Sequence, residues 1–343
     1  MKALVLKDFG SLVVEDRPMP QPVGDEVVIQ IEATGICGSD IHGFTGENGR
    51  RVPGQIMGHE SVGLISSLGA DAAALGLEVG QRVTFNPVVV PVADLETYAG
   101  REQHCPDKYV IGVKSDVVSA FAQYIAVPAR NIIVLPSSIP VGYGALVEPL
   151  AVAVHAVRRA GVHADDRVLV LGGGPIGQSV VLALLMAGVT RILVSEVTEA
   201  RRALVERLGA RVIDPMQGPV AGQVISVFGT RADVTIDAVG ITPTITDALR
   251  STALGGTVCL VGMGSPALDI EAFAVSTEER SIVGSFTYSN KDFVDAAAWI
   301  ATTPDIAAEL ISREVPLAAA NDAFTGLASN DGTPGKVLIR LDR

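Results

Sequence analysis

A chain of 343 residues, 48% apolar and 19% charged, is long enough for two domains with separate cores and too apolar to be disordered. Its 38 acidic against 26 basic residues leave a net charge of −12, which argues against nucleic acid or an anionic membrane surface as the main partner. It shows neither a signal-peptide core nor an uninterrupted apolar run of about 18 residues, so a soluble, cytoplasmic protein is expected.

In chain order, Met1-Lys2-Ala3-Leu4-Val5-Leu6 alternates and reads as a first strand. Short β-type runs broken by Gly and Pro follow at 27–31, 61–65, 82–85 and 121–127, so this part is predicted to be mostly β. From about Asp166 the rhythm changes: an apolar strand at 168–171, a glycine turn, an apolar helix to Ala187, then a strand at 192–194. Further apolar strands are predicted at 234–236 and 258–261, each after a helix-length segment, the pattern of a parallel sheet covered on both faces. The tail after Ser285 holds a predicted helix from 292 to about 301 and a last strand at 336–341, which return to the first domain. The expected division is residues 1–149 with 286–343, a mostly β domain, and residues 150–285, a doubly wound α/β domain.

The glycine turn is Gly172-Gly173-Gly174-Pro175-Ile176-Gly177, lying between a predicted strand and a predicted helix. Gly172 permits the tight turn, Gly174 lets backbone approach a pyrophosphate, and Gly177 lets helix and strand pack closely. Glu196 ends the next strand about twenty residues on, where a carboxylate accepts from the adenosine ribose hydroxyls and repels a 2′-phosphate, so NAD is favoured over NADP. Arg201 and Arg202, close by, are of the type that would serve such a phosphate.

Cys37 supplies a thiolate, His59 an imidazole, and Glu60 or Glu148 a carboxylate. This mixed donor set suits zinc, and its dispersion over more than a hundred residues suits a catalytic ion with an open position better than a structural knot. The three cysteines, Cys37, Cys105 and Cys259, are odd in number and far apart, which fits a reducing compartment better than a disulfide framework. Asp40, three residues after Cys37, is a candidate partner for the second nitrogen of His59.

Residues 35–42 (Gly-Ile-Cys-Gly-Ser-Asp-Ile-His), Gly58-His59-Glu60, residues 145–156 around Glu148-Pro149-Leu150, and the turn Gly172 to Gly177 carry a resemblance along the whole length. The chain resembles zinc-containing alcohol dehydrogenases of the medium-chain dehydrogenase/reductase superfamily, within them the polyol (sorbitol), threonine and butanediol branch. The resemblance implies a GroES-like catalytic domain, a Rossmann domain, and a homodimer or homotetramer. It implies zinc on Cys37, His59 and Glu60, with Glu148 either binding zinc or holding its water. It also implies a proton relay through Ser39 and His42, and hydride transfer between a secondary alcohol, a vicinal diol or polyol, and NAD.

Val261-Gly262-Met263 and Ser285-Phe286 resemble segments that meet the nicotinamide carboxamide, and Val239 one that borders adenosine. Phe44, Phe85, Tyr288 and Glu148 are candidate substrate contacts, with residues 45–51 as a rim. Thr287 stands where some polyol enzymes carry arginine. Where relatives place four cysteines on a structural zinc, this chain has Pro91, Asp94, Thr97 and Cys105, so one zinc per chain is expected. The competing reading is a zinc-independent NAD(P)H reductase of quinones or enones from the same superfamily, which would have no use for the ligand set.

Overall fold

A computed structural model describes residues 1–47, 49–302 and 304–341. The chain folds as two units, residues 1–148 with 289–343 and residues 149–288. Residue 48 of the expected rim, and 342 and 343 of the expected tail, lie outside the described residues.

The first unit is built on a sheet of seven strands. Its order is Ile311–Pro316, Lys336–Arg340, Glu26–Gly35, Glu60–Leu68, Arg82–Phe85 and Ile132–Val134, with Tyr124–Pro128 also paired to Glu26–Gly35. Glu26–Gly35 is central: Val27, Ile29 and Ile31 lie in one apolar core with Leu4, Leu6, Phe85 and Phe121. The run expected at 121–127 begins its ladder only at Tyr124, because the Phe121 N–H donates to Met57 O at 2.8 Å and its carbonyl accepts from Leu4. In this unit the sequence reading missed Ser11–Asp16, Ile311–Pro316 and the shorter strands Val88–Val89, Tyr109–Val110 and Ile132–Val134. Ser11–Asp16 forms a hairpin with Lys2–Asp8 but leaves Val13 and Val14 exposed, and Ile311–Pro316 is mostly exposed, so neither shows a clean alternation.

The tail completes this unit. Lys336–Arg340 pairs antiparallel with Glu26–Gly35, and the helix Ala320–Ala328 inserts Phe324 between Phe44, centroids 5.4 Å apart, and Phe121, 5.6 Å away and edge-on.

The second unit holds six parallel strands in the order Arg211–Ile213, Arg191–Ser195, Arg167–Leu171, Ala232–Asp237, Thr252–Leu260 and Ser281–Gly284. Its strands read as continuous apolar runs because both faces are covered. Arg211–Ile213, at three residues, is too short for periodicity to reveal. The helix Pro175–Met186 is buried from Gly177 to Leu184, which is why its sequence is apolar all round. The strand order reverses between Arg167–Leu171 and Ala232–Asp237, and such a reversal opens a ligand crevice at the carboxyl ends of the strands. Among the described residues no helix is long and apolar enough to cross a membrane.

Replacing Phe324 by Ala is expected to destabilise the first unit by about 3–5 kcal/mol, the usual loss for a buried aromatic. Chemical denaturation measures it, and a loss under about 1 kcal/mol would show that the tail is held by other contacts.

Candidate active site

Three strand ends of the first unit meet at Gly35. Glu26–Gly35 ends there, and two residues on, Cys37 precedes the helix Gly38–Thr45, whose first amides present positive partial charge to the sulfur. Glu60 opens Glu60–Leu68 directly across from Gly35, so His59 falls just outside the ladder. Lys336 opens the strand on the other side, where the Ile36 N–H donates to Val337 O at 3.0 Å. As a result, one donor atom each from Cys37, His59 and Glu60 lie within 4.8 Å of one another.

A thiol, an imidazole and a carboxylate at this spacing form a donor set that fits zinc. A second observation supports the fit: Glu60 Oε2 is buried without a hydrogen-bond partner among the described residues, a costly state unless a cation meets it. Glycine at 35 leaves that oxygen its place, since a Cβ there would lie 2.2 Å from it and displace the carboxylate.

The buried charges act on one another. Lys336 is 4% exposed and its Nζ donates to Glu60 Oε1 at 2.7 Å. Burial works against its ammonium, yet the charges of Glu60, Cys37 and Glu148 leave its pKa raised. Burial likewise disfavours an imidazolium at His59, but Asp40, the hydrogen-bonded Cys37 and Glu148 carry its pKa well above the ordinary value. Asp40 is raised by burial despite the opposing pull of His59 and Arg51. Its Oδ2 accepts the Cys37 N–H at 3.2 Å and its Oδ1 lies 3.7 Å from His59 Nδ1.

Lys336 was not anticipated. The only trace of it in the sequence is a lysine abutting the apolar Val337-Leu338-Ile339 at the start of a strand that is buried throughout.

Glu148, in the first turn of the helix Val147–Arg159, is 8% exposed and acts electrostatically on His59 and Lys336, but it stands outside the three converging donors. Ser39 is half-buried in the first turn of Gly38–Thr45. His42, one turn on, is exposed, with Nδ1 2.9 Å from Glu47 Oε2. Phe44 and Phe85 are not available as substrate contacts: both lie in the apolar core, Phe44 against Phe324, because the strand and helix that carry them turn those faces inward. In the lobe of Pro91, Asp94, Thr97 and Cys105, Cys105 is buried with its Sγ 4.0 Å from Asp94 Oδ2, and Arg101 lies over the Tyr98 ring at 5.7 Å.

The second unit gathers the expected nucleotide residues along the carboxyl edge of its sheet. Gly172 follows Arg167–Leu171, Gly174 precedes the helix Pro175–Met186, and Pro175 and Ile176 are half-exposed in its first turn. A Cβ at Gly177 would lie 1.9 Å from Gly172 O, so helix and strand meet here backbone to backbone. Glu196 is 5% exposed; Oε2 accepts the Gly173 N–H and Oε1 the Thr198 N–H, each at 2.7 Å. Arg201 reaches over the helix start, with Nη1 3.8 Å from where a Gly174 Cβ would be. Arg202 is instead tied to the carbonyls of Glu196 and Val197, both at 2.8 Å, and to Asp214.

The remaining nucleotide candidates follow the neighbouring strands. Val239 N–H donates to Asp237 Oδ1 at 2.9 Å, and Val261 and Gly262 donate to Asp237 O, also at 2.9 Å. Ser285 donates to Leu260 O at 3.0 Å. Met263 and Phe286 are exposed, and Tyr288 is fully buried. Thr287 is held at φ 52°.

Residues 24–137 match the alcohol dehydrogenase GroES-like domain and residues 175–302 the zinc-binding dehydrogenase family. Sorbitol dehydrogenase of Ovis aries is 31% identical over 99% of this chain and 96% of its own length. The crystal structure of 2R,3R-butanediol dehydrogenase from Bacillus subtilis superposes with a TM-score of 0.88 at 26% identity, covering 99% of both chains. A zinc-binding dehydrogenase from Sinorhizobium meliloti bound to NADP does so with a TM-score of 0.88 at 31% identity, again over 99% of both. The chain belongs to the zinc-binding alcohol dehydrogenase family, with the GroES-like and Rossmann-type units described above.

Because the raised pKa of His59 favours a proton on the ring, a metal entering beside it must displace that proton. Zinc affinity is therefore expected to rise with pH, by up to about tenfold per unit for each proton displaced, and to fall as the ring becomes protonated. Chelator competition between pH 6 and 8 reads this, and a flat profile would count against metal binding at His59.

Proposed function

We propose that the protein is a zinc-dependent, NAD-dependent dehydrogenase that interconverts a secondary alcohol, of the vicinal diol or polyol class, and its ketone. The observation that carries this reading is the convergence of Cys37, His59 and Glu60, with a partnerless Glu60 oxygen, in a chain whose other unit bears a complete dinucleotide turn. A zinc-independent reductase of quinones or enones would have no use for that convergence. The diol or polyol class rests on the likeness to sorbitol and butanediol dehydrogenases.

Cys37, His59 and Glu60 would hold the metal, with Glu148 adding negative charge beside them. When bound, zinc would supply the Lewis acidity that lowers an alcohol's pKa from near that of bulk water toward about 7, and NAD would supply the hydride acceptor. Ser39 would take the proton leaving the alcohol oxygen while passing its own hydroxyl proton onward, and His42, exposed and paired with Glu47, would receive it at the solvent end of the path.

Gly172, Gly174, Pro175, Ile176 and Gly177 receive the pyrophosphate, with Arg201 as an added cation. Val239 borders adenosine, and Val261, Gly262, Met263, Ser285 and Phe286 border the nicotinamide side. Glu196 is held by two backbone N–H groups, so its carboxylate cannot readily swing aside for a 2′-phosphate. That favours NAD here, although the Sinorhizobium relative holds NADP. A cytoplasmic setting suits three cysteines that are all free thiols. A homodimer or homotetramer suits the strand Ser281–Gly284, which ends its sheet with one side unpaired.

Cys37→Ser is expected to abolish turnover and zinc uptake while NAD binding is retained; full activity without zinc would overturn the reading. Turnover of diols and sugar alcohols with NAD should exceed that with NADP. Glu196→Ser should shift the ratio of kcat/KM values toward NADP by at least about tenfold, an effect of roughly 1.4 kcal/mol. An unchanged ratio would remove Glu196 from cofactor choice.

A further inference from the structure

One buried cation near the metal ligands belongs to none of the motifs above. Arg51 is 2% exposed, and its Nη2 lies 3.6 Å from Asp40 Oδ1. Among the described residues its Nε and Nη2 meet no hydrogen-bond partner. Its stem is pressed onto Gly43, where a Cβ would come within 2.3 Å of Arg51 Cγ, so the aliphatic part of the side chain packs against the helix Gly38–Thr45 that carries Asp40. The same Asp40 Oδ1 lies 3.7 Å from His59 Nδ1, and among the described residues both of those atoms also lack a hydrogen-bond partner.

One carboxylate oxygen thus stands between two unsatisfied donors, each just beyond hydrogen-bond reach, with all three groups buried. Lys336 does not compete for this role, being committed to Glu60. Unpaired buried groups of this kind are rare and costly, and a carboxylate behind a ligand imidazole fixes the ring's tautomer and orientation.

We propose that Arg51 is a positioning residue for the metal site: it supplies the counter-charge that keeps Asp40 directed at His59 Nδ1–H, which leaves the other ring nitrogen to the metal. This rests on the reading of Cys37, His59 and Glu60 as zinc ligands. The role needs charge in that place more than the particular shape of the guanidinium. Lysine should therefore substitute for it and a neutral side chain should not.

The test is the zinc dissociation constant of the full-length protein, measured at one pH by competition with a chromogenic chelator, with far-UV circular dichroism and metal-free melting for each variant. Asp40→Asn is expected to weaken zinc binding about 10- to 100-fold, as losing a carboxylate behind a histidine ligand usually does. Arg51→Met is expected to weaken it about tenfold, and Arg51→Lys to stay within about threefold of wild type. Arg51→Gln, which is neutral but keeps a polar head, should behave like Met and serves where Met does not fold. In the double variant Asp40→Asn/Arg51→Gln the affinity should stay within about threefold of Asp40→Asn alone, because Arg51 acts through Asp40.

Wild-type affinity in Arg51→Gln, or a double variant showing the product of the two single losses, overturns the proposal. A wild-type chain that takes up no zinc overturns the metal reading itself, and is told apart because no variant then differs from it.

Discussion

Taking an ammonium and a carboxylate out of water costs several kcal/mol per ion, and the contact between Lys336 and Glu60 offsets this only because the geometry is close and nearly dry. That contact can form only if the first and last thirds of the chain meet. Glu60 lies across from Gly35 on one side of the strand Glu26–Gly35, and Lys336 is carried by the strand on the other side. Gly35 leaves the space that the carboxylate fills. The site therefore depends on correct pairing of three strands far apart in sequence, and a slip of one residue would turn Glu60 to the opposite face.

Around that pair the negative and positive groups are nearly matched. Cys37, Asp40, Glu60 and Glu148 face His59, Lys336 and Arg51, all but Cys37 almost fully removed from water. Such an arrangement is a poor source of stability, since well-packed apolar side chains would do as well or better. It makes sense as a site that holds a cation and tunes it, with the bare Glu60 oxygen and the partnerless His59 Nδ1 marking where further interactions are expected. The nucleotide unit shows the opposite economy. The edge proposed to bind the nucleotide consists mostly of backbone at strand ends, with Glu196 anchored by two amides.

Much of this was legible in the sequence for identifiable reasons. The buried parallel strands read as apolar runs, and Gly172 to Gly177 with Glu196 were in register because the turn, the helix start and the next strand are local in sequence. Cys37, His59 and Glu60 were recognisable by residue type and by the segments around them. Phe44 and Phe85 misled because an aromatic beside a motif looks the same whether it faces a site or a core. Arg202 looked like a phosphate ligand until Asp214 and two carbonyls proved to hold it.

Residue type, local spacing and periodicity thus determined the two architectures, the dinucleotide turn and the kinds of donor offered to a metal, since those depend on neighbours along the chain. Tertiary structure alone brings a donor of Glu60 together with those of Cys37 and His59, sets Lys336 on one Glu60 oxygen, and places Arg51 beside Asp40. Each of these depends on strand register or on a side chain arriving from elsewhere in the chain. Lys336 lies 276 residues from its partner, and no local pattern encodes a contact of that span.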